Sequence, residues 1–479
     1  MKSYETVIGL EVHAELKTQS KAYCSCRNAF GLEVNSQICP ICMGYPGALP
    51  SLNEKVVELA IRMGHALNCT IHSLSKQDRK NYFYPDLTKG YQISQSDIPL
   101  CEKGFLDVLI DGEEKRIGVT RIHIEEDAGK LLHDESFDGT LVDFNRCSVP
   151  LIEIVSEPDL RSSADAKAYL ETLKTILIYL GISDGKMQEG SIRCDVNVSV
   201  REKGSDKFGT RVEMKNVNSF SGAMRAIDYE SARQIEVIEN GGIIEQETRR
   251  WDDAKGMSIA MRTKENANDY RYFPEPDLGT IYVPEEKIKE IKDNLPELPT
   301  AKLLRFVKEL EIPQVEAEAI VTSMDKCRFF EEGLAAEKCT AKGLANWILG
   351  DVSKVMNDSG KSIYETKLTA AKLAELIGLV EGGKLSTTAA KTVFSELLSF
   401  DKALHDIIEE KGLSQISDES VIEQIVKDVI AANPKSVEDY QSGKTNALGF
   451  LVGQCMKASK GKANPAMCKE LVLKNISAV

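Results

Sequence analysis

The chain has 479 residues, of which 42% are hydrophobic and 28% charged, with a formal net charge of −14; that length asks for roughly three domains, and the balance is that of a soluble globular protein without a membrane span. The acidic excess excludes a protein that coats nucleic acid unspecifically, because such binding rests on many Lys and Arg contacts to phosphate. Twelve cysteines, scattered outside one N-terminal cluster, do not read as a disulfide framework, and the opening MKSYETVIGLEVH does not read as a leader; the expected location is a reducing cytoplasm.

In chain order, the first predicted strand is GLEVHAEL, where Glu11 and His13 project to one side and Leu10, Val12 and Ala14 to the other. Cys24 and Cys26, then Cys39 and Cys42, have the paired spacing of a zinc knuckle over 24–42; four thiolates close a tetrahedral ion and leave no position for catalysis, so the expected Zn2+ is structural. Four unligated buried cysteines are the alternative. DRKNYFYPDLTKGYQISQ, residues 78–95, reads as a turn-rich loop in which Arg79, Lys80 and Lys89 alternate with Tyr82, Phe83, Tyr84 and Tyr91. Such a loop grips phosphate with its cations and stacks a base or sugar on its rings, or is an ordinary aromatic-anchored loop.

Acids then recur on strand-like segments: Glu125, Glu126 and Asp127 in RIHIEEDAGK, and Glu153 within the otherwise apolar LIEIV. A carboxylate in such a run needs a cation or a donor. With Glu11, His13 and Glu126, Glu153 could hold a hard divalent ion, magnesium if it bridges nucleotide phosphates; imidazole suits manganese better, which leaves another role for His13 open. Salt bridges to Arg121, Arg146 and Arg193 account for the same acids equally well. SIRCDVNVSV alternates an apolar face with a polar one carrying Arg193, Asp195 and Asn197, and EMKNVNSF offers Lys215, Asn216 and Asn218 at the brink of a helix N-terminus. Predicted helices run from about Ser163 to Leu180 and from about Gly222 to Glu239, each stopped by glycine. Strands and helices do not alternate regularly, so the fold class is α+β.

At Leu295 the linker LPELPT, with two prolines, ends the β pattern, and amphipathic helices follow. The expected domains are 1–293, 294–407 and 408–479. Gly378 to Lys384 matches G-x-x-x-x-G-K, but Leu385 stands where a Ser or Thr must ligate magnesium, and helix precedes it where a strand is required; the segment reads as a helix end. In the tail Lys444, Lys457, Lys460, Lys462, Lys469 and Lys474 face one acid, Glu470, which is a solvated helical surface or a basic docking face.

These segments, together with QETRRWDD, DYRYFPEPDL and GFLVGQCMKASKGKANP, resemble the B subunit family of aspartyl/glutamyl-tRNA amidotransferase in collinear order over essentially the whole chain. The resemblance implies a cradle-like mixed β-sheet catalytic domain, a helical domain and a small helical tail. It implies an ATP-dependent carbon–nitrogen ligase that phosphorylates the side-chain carboxylate of Asp-tRNA(Asn) or Glu-tRNA(Gln) using Mg2+. Ammonia would come from glutamine through an amidase subunit (GatA), with a small third subunit (GatC) completing a heterotrimer. Glu11, His13, Glu126 and Glu153 would hold the Mg2+, and Lys80 and Lys89 would guide ammonia or bind phosphate. Arg79, Tyr82, Tyr84, Tyr91, Arg193, Asp195, Asn197, Lys215, Asn216 and Asn218 would face the nucleotide or the aminoacyl end of the tRNA. Lys457, Lys460 and Lys462 would meet the tRNA body. The rival expectations are a non-catalytic tRNA-binding scaffold and a stand-alone zinc hydrolase, the latter without an H-E-x-x-H pair to support it.

Overall fold

The computed structural model describes residues 3–110, 113–133, 138–263, 270–413, 419–459 and 463–476. The chain divides into two compact units, 1–300 and 301–479. The first is built on a sheet of nine strands: β1 (Tyr4–Glu15), β2 (Thr70–Ile71), β6 (Cys101–Ile110), β7 (Glu113–Glu126), β10 (Pro150–Ser156), β11 (Ile192–Glu202), β12 (Val212–Val217), β13 (Glu247–Asp252) and β14 (Met257–Thr263). Their spatial order is β14-β13-β12-β11-β1-β10-β7-β6-β2. Every pairing is antiparallel except β12 with β13, so the sheet is mixed, in an α+β fold.

Strand alternation divides this sheet into two faces. Leu10, Val12, Ile122, Ile124, Ile152, Ile154, Val196 and Val198 all point to one side. There they pack on α1 (Glu54–Ala66), α2 (Ser163–Tyr179) and α3 (Phe220–Glu239), which contribute Leu59, Met63, Leu170, Leu173, Ala223 and Ile227 to the same core. Two helices start where their caps put them: Ser162 accepts from the Asp165 N–H at 3.0 Å and Ser219 from the Gly222 N–H at 2.9 Å, each worth about 1 kcal/mol. All three helices bury their apolar stripes on one face. The residues of opposite parity on the central strands are therefore left to a second, polar face.

Smaller sheets complete this unit. β4 (Asp78–Asn81) lies between β5 (Tyr91–Ser94) and β15 (Phe273–Pro274), β3 (Leu74–Ser75) pairs with β16 (Ile281–Tyr282), and β8 (Lys130–His133) forms a hairpin with β9 (Thr140–Asp143). Residues 78–95, expected as one loop, are a hairpin with its turn at 82–90. Lys215 and Asn216 lie within β12 and not at a helix start. Asn216 has a φ of 65° at the irregularity that shifts β12 against β11, and its side-chain amide donates to the Trp251 carbonyl at 3.2 Å; Asn218 is exposed just ahead of the α3 cap.

The second unit is helical, with no strand among its described residues. Residues 370–381 form a helix that ends at Gly382 and turns through Gly383 at a φ of 66°, so the Walker-like string is a helix end. From residue 422 to 476 the tail gathers Ile422, Val426, Leu451, Cys455, Cys468 and Val472 into a core of its own. Among the described residues no helix is long and apolar enough to cross a membrane.

Candidate active site on the polar face of the sheet

Cross-strand register arranges the polar residues in rows. Arg193 of β11, His13 of β1, Glu153 of β10 and His123 of β7 are successive partners. The neighbouring row runs Asp195, Glu11, Val155 and Arg121. His13 Nε2 lies 3.3 Å from Glu125 Oε1 and 3.8 Å from Glu153 Oε2, and His123 Nε2 lies 3.0 Å from Glu153 Oε2 and 3.7 Å from Glu125 Oε2. His13, Glu125 and Glu153 each place a ligand atom within 4.8 Å of the others, as do Glu11, Asp195 and Glu213. The first set mixes imidazole with carboxylate, which suits manganese better than magnesium, and the second is all oxygen, which suits magnesium.

Glu126 does not join this group. His123 and Glu125 share the polar face, so Glu126 must turn to the other side. There it accepts from Lys89 Nζ at 2.6 Å, Ser148 Oγ at 2.6 Å and the Ile93 N–H at 2.9 Å. Glu125 occupies the place expected of it. Glu11 also stands apart, one row on, where it accepts from Asn197 Nδ2 at 2.9 Å. The arginine partners proposed for these acids are only partly used: Arg193 and Arg146 reach Asp127, at 2.6 and 3.4 Å, while Glu125 and Glu153 are met by histidines.

The electrostatics follow from burial and pairing. Burial opposes the charge of His13, but the hydrogen bond and charge of Glu125, with the charge of Glu153, outweigh it and hold the imidazole pKa up at about 9. Burial likewise raises Glu125 and Glu153, yet contact with His123 and His13 brings Glu125 well below the carboxylate range and Glu153 to about 2. The His123 imidazole is likewise raised by Glu153 and Glu125 against its burial, so two imidazoles that favour a positive charge stand where a divalent cation would. Glu11, buried and beside Glu153, is pushed up.

Lys80 Nζ sits 4.9 Å from the Tyr270 ring centre, and Tyr270 meets Tyr82 and Tyr272 edge-on at 6.1 and 6.0 Å. Burial lowers the Lys80 pKa, but the nearby Glu125, Tyr272, Tyr270 and Glu153 raise it overall, so this ammonium lies in the field of the carboxylates. Lys89 is elsewhere, on Glu126. Arg79 is held by buried Glu275 through two hydrogen bonds of 2.7 and 2.8 Å and stacks 4.2 Å from the Tyr91 ring centre. Its fork is already occupied. Tyr84 is exposed, and Lys215 bridges Asp195 at 2.9 Å and Glu213 at 3.2 Å. Beside Glu11 a cavity of about 220 Å³ is lined by Val7, Gly9, Pro158, Asn197, Phe208 and Arg211.

The four cysteines of 24–42 converge: their Sγ atoms all lie within 4.8 Å of one another, and Cys39 and Cys42 are 3.8 Å apart. A tetrahedron with Zn–S bonds of about 2.3 Å has an edge of about 3.8 Å, so the set fits zinc. The Cys39 N–H points at Cys42 Sγ at 3.2 Å and Lys21 Nζ lies 3.8 Å from it, supports suited to thiolate charge. In the tail Lys457 is exposed; Lys460 and Lys462 lie outside the described residues.

The model of the GatB/GatE catalytic domain matches residues 6–289, and that of the GatB domain matches residues 328–476. The chain belongs to the GatB family. It is similar to proteins named as the B subunit of aspartyl/glutamyl-tRNA(Asn/Gln) amidotransferase: 56% identical over 479 residues to that of Caldicellulosiruptor saccharolyticus, covering 99% of this chain and 100% of the relative. It is 55% identical over 474 residues to that of Thermoanaerobacter pseudethanolicus, covering 99% of each, and 52% identical over 478 residues to that of Lachnoclostridium phytofermentans, covering 100% of each.

In this GatB-family chain, sequence reasoning passes over His123, Glu125, Glu213, Tyr270 and Tyr272 as site residues. His123 and Glu125 are within reach of alternation, since Ile122 and Ile124 fix the phase of β7. Tyr270 and Tyr272 are not: they arrive through the pairing of β15 with β4, across almost two hundred residues.

Proposed function

We propose that this amidotransferase subunit carries out the phosphoryl transfer and the amidation of the tRNA-bound amino acid, with the polar face of the β1 sheet as its active site. The observation that carries the reading is the gathering of Glu11, His13, Glu125, Glu153, Asp195 and Glu213 on one face of a catalytic-domain family member. A scaffold has no need to concentrate carboxylates against the desolvation cost.

Asp-tRNA(Asn) and Glu-tRNA(Gln) present a side-chain carboxylate, a poor electrophile with a poor leaving group. Its oxygen attacks the γ-phosphorus of ATP, the γ-phosphorus–oxygen bond to ADP breaks, and an acyl phosphate forms. Ammonia then attacks the acyl carbon, the carbon–oxygen bond to phosphate breaks, and a proton leaves to give the amide of Asn-tRNA(Asn) or Gln-tRNA(Gln). ATP brings the phosphoryl group, and Mg2+ neutralises its charge. Glu125 and Glu153, with His13 beside them, and Glu11 with Asp195 and Glu213 are the groups that would hold the ion. Lys80, held against the Tyr270 ring within the field of Glu125, stabilises the charge of the carboxylate or its phosphate. The cavity beside Glu11 suits the nucleoside.

Ammonia comes from an amidase subunit, with a small third subunit completing the enzyme; the name of the relatives, which makes each of them one lettered subunit among several, supports such an assembly. Lys89, paired with buried Glu126 away from the carboxylate group, gates ammonia in this reading. The Cys24–Cys42 site holds structural Zn2+, and the tail, with Lys457, Lys460 and Lys462, docks on the tRNA body. The decisive experiment measures ATP hydrolysis by the assembled enzyme with and without mischarged tRNA. Hydrolysis that needs the mischarged tRNA is expected, and its loss in Glu153→Gln. Hydrolysis unaffected by Glu153→Gln overturns the site, and none in the native enzyme leaves a binding scaffold.

A further inference from the structure

On the polar face, Arg121 combines the lack of an anion of its own with a buried guanidinium nitrogen. Arg193 and Arg146 are taken by Asp127, Arg79 by Glu275, Lys215 by Asp195 and Glu213. Arg121 makes no hydrogen bond or ion pair with the described residues, and its Nε is buried without a partner. The acid opposite it on β6, Glu102, is engaged by His72 at 3.3 Å and Lys103 at 2.9 Å. A guanidinium left so in a folded protein awaits an anion, and its planar fork matches phosphate.

Its position says which anion. Arg121 shares a row with Glu11 and Asp195 and precedes His123 by two residues on the same face of β7. The cavity that includes Gly9 and Asn197 lies one row before it, and the His13–Glu153–His123 row lies one after. Across the sheet it stands two strand spacings, about 10 Å, from β1. Tyr272, whose acidity is weakened by burial and strengthened by the charges of Lys80 and Arg121, connects it to the Lys80 side of the site. Arg121 thus borders the passage from the cavity to the carboxylate group.

We propose that Arg121 grips the phosphate chain of the bound nucleotide as it runs from the cavity beside Glu11 to the His13–Glu153 group. The proposal rests on the nucleotide reading above and adds the contact that orients the γ-phosphoryl toward the acceptor carboxylate. Calorimetry on the assembled enzyme, with the magnesium complexes of a non-hydrolysable ATP analogue and of inorganic tripolyphosphate as probes, tests it. Arg121→Ala weakens both probes by about tenfold or more, the scale of a charged hydrogen-bonded contact, and added guanidinium restores part of the loss. Arg121→Gln, which keeps the stem and a polar head, guards against a folding defect and loses the same affinity. If Arg121→Ala or Arg121→Gln binds both probes within twofold of the native enzyme, the proposal is overturned while the nucleotide reading stands. Should the native enzyme bind neither probe, the nucleotide reading fails and takes the proposal with it.

Discussion

His123 and Glu153 face each other across β7 and β10, with Nε2 3.0 Å from Oε2, and both are largely withdrawn from water. Breaking such a pair by removing one charge leaves the other buried and uncompensated, which costs about 3–5 kcal/mol. Glu153→Gln, which keeps the shape, is therefore expected to lower the melting temperature as well as abolish ion binding. Glu125→Gln does likewise, whereas Glu126→Gln, on the far side of β7, leaves Mn2+ affinity within about twofold while losing its charge pairing with Lys89, as changes at sites separate from the ion do. Titration of Mn2+ into the three variants decides which of the adjacent glutamates belongs to the site; equal losses in Glu125→Gln and Glu126→Gln would contradict the assignment.

The ion should compete with a proton. In the ion-free chain His13 has a folded pKa of about 9 against an ordinary 6.5, so its contribution to stability is fully present below pH 6.5 and is lost as pH rises through about 9. A divalent ion bound by its ring nitrogen must displace that proton, so affinity climbs from pH 6.5 to about 9 by up to about tenfold per unit. Calorimetry in buffers of different ionisation enthalpy reads the released proton directly. An affinity flat with pH over that interval would put the ion away from His13.

Zinc should be found at about one equivalent, as expected of one closed four-thiolate site. Cys39→Ala is expected to release it and to lower the melting temperature, and a strong chelator should do the same to the native chain. Native, zinc-free protein with four thiols open to alkylation would show that the cysteines are merely packed.

Lys89→Met removes the cation from buried Glu126 and leaves the carboxylate group of the polar face untouched. Amidation driven by glutamine is expected to fall more than amidation driven by added ammonium salt, because the first needs passage past Lys89. An equal fall with both donors, accompanied by weaker ATP binding, would return Lys89 to a phosphate-binding role.

Deleting the chain from Leu413 removes the tail together with its own core. Affinity for tRNA should drop, and its salt dependence should flatten by about 0.9 in log–log slope for each duplex phosphate that no longer meets a lysine. ATP analogue binding should persist. Unchanged tRNA affinity at every salt concentration would make the lysines an ordinary solvated surface.

How far the sequence can be read depends on whether each interaction is local. The phase of β1 is plain from Leu10, Val12 and Ala14, and so is the polar row of Arg193, Asp195 and Asn197, because period two needs no partner to be recognised. Choosing between Glu125 and Glu126 requires the same rule applied to Ile122 and Ile124. Arg79 resembles a phosphate ligand because the acid that holds it, Glu275, stands 196 residues on. Tyr270 and Tyr272 are hidden for the same reason, and Arg121 passes for a salt-bridge partner because sequence gives no measure of which cation stays unmatched.

The cysteine knuckle and the Lys89 hairpin are mechanically one piece. The Thr88 hydroxyl donates to the Cys42 carbonyl at 2.7 Å, and Gly44, at a φ of 68°, comes so close that a Cβ there would meet Lys89 Cγ at 2.6 Å. Sulfur chemistry at the knuckle therefore reaches the Lys89–Glu126 pair without any intervening ligand. If Lys89 gates ammonia as proposed, oxidation of these thiols or incomplete loading of the proposed zinc site would be felt as a fault in handling the nitrogen donor, so preparations of identical sequence would differ in how well glutamine serves them.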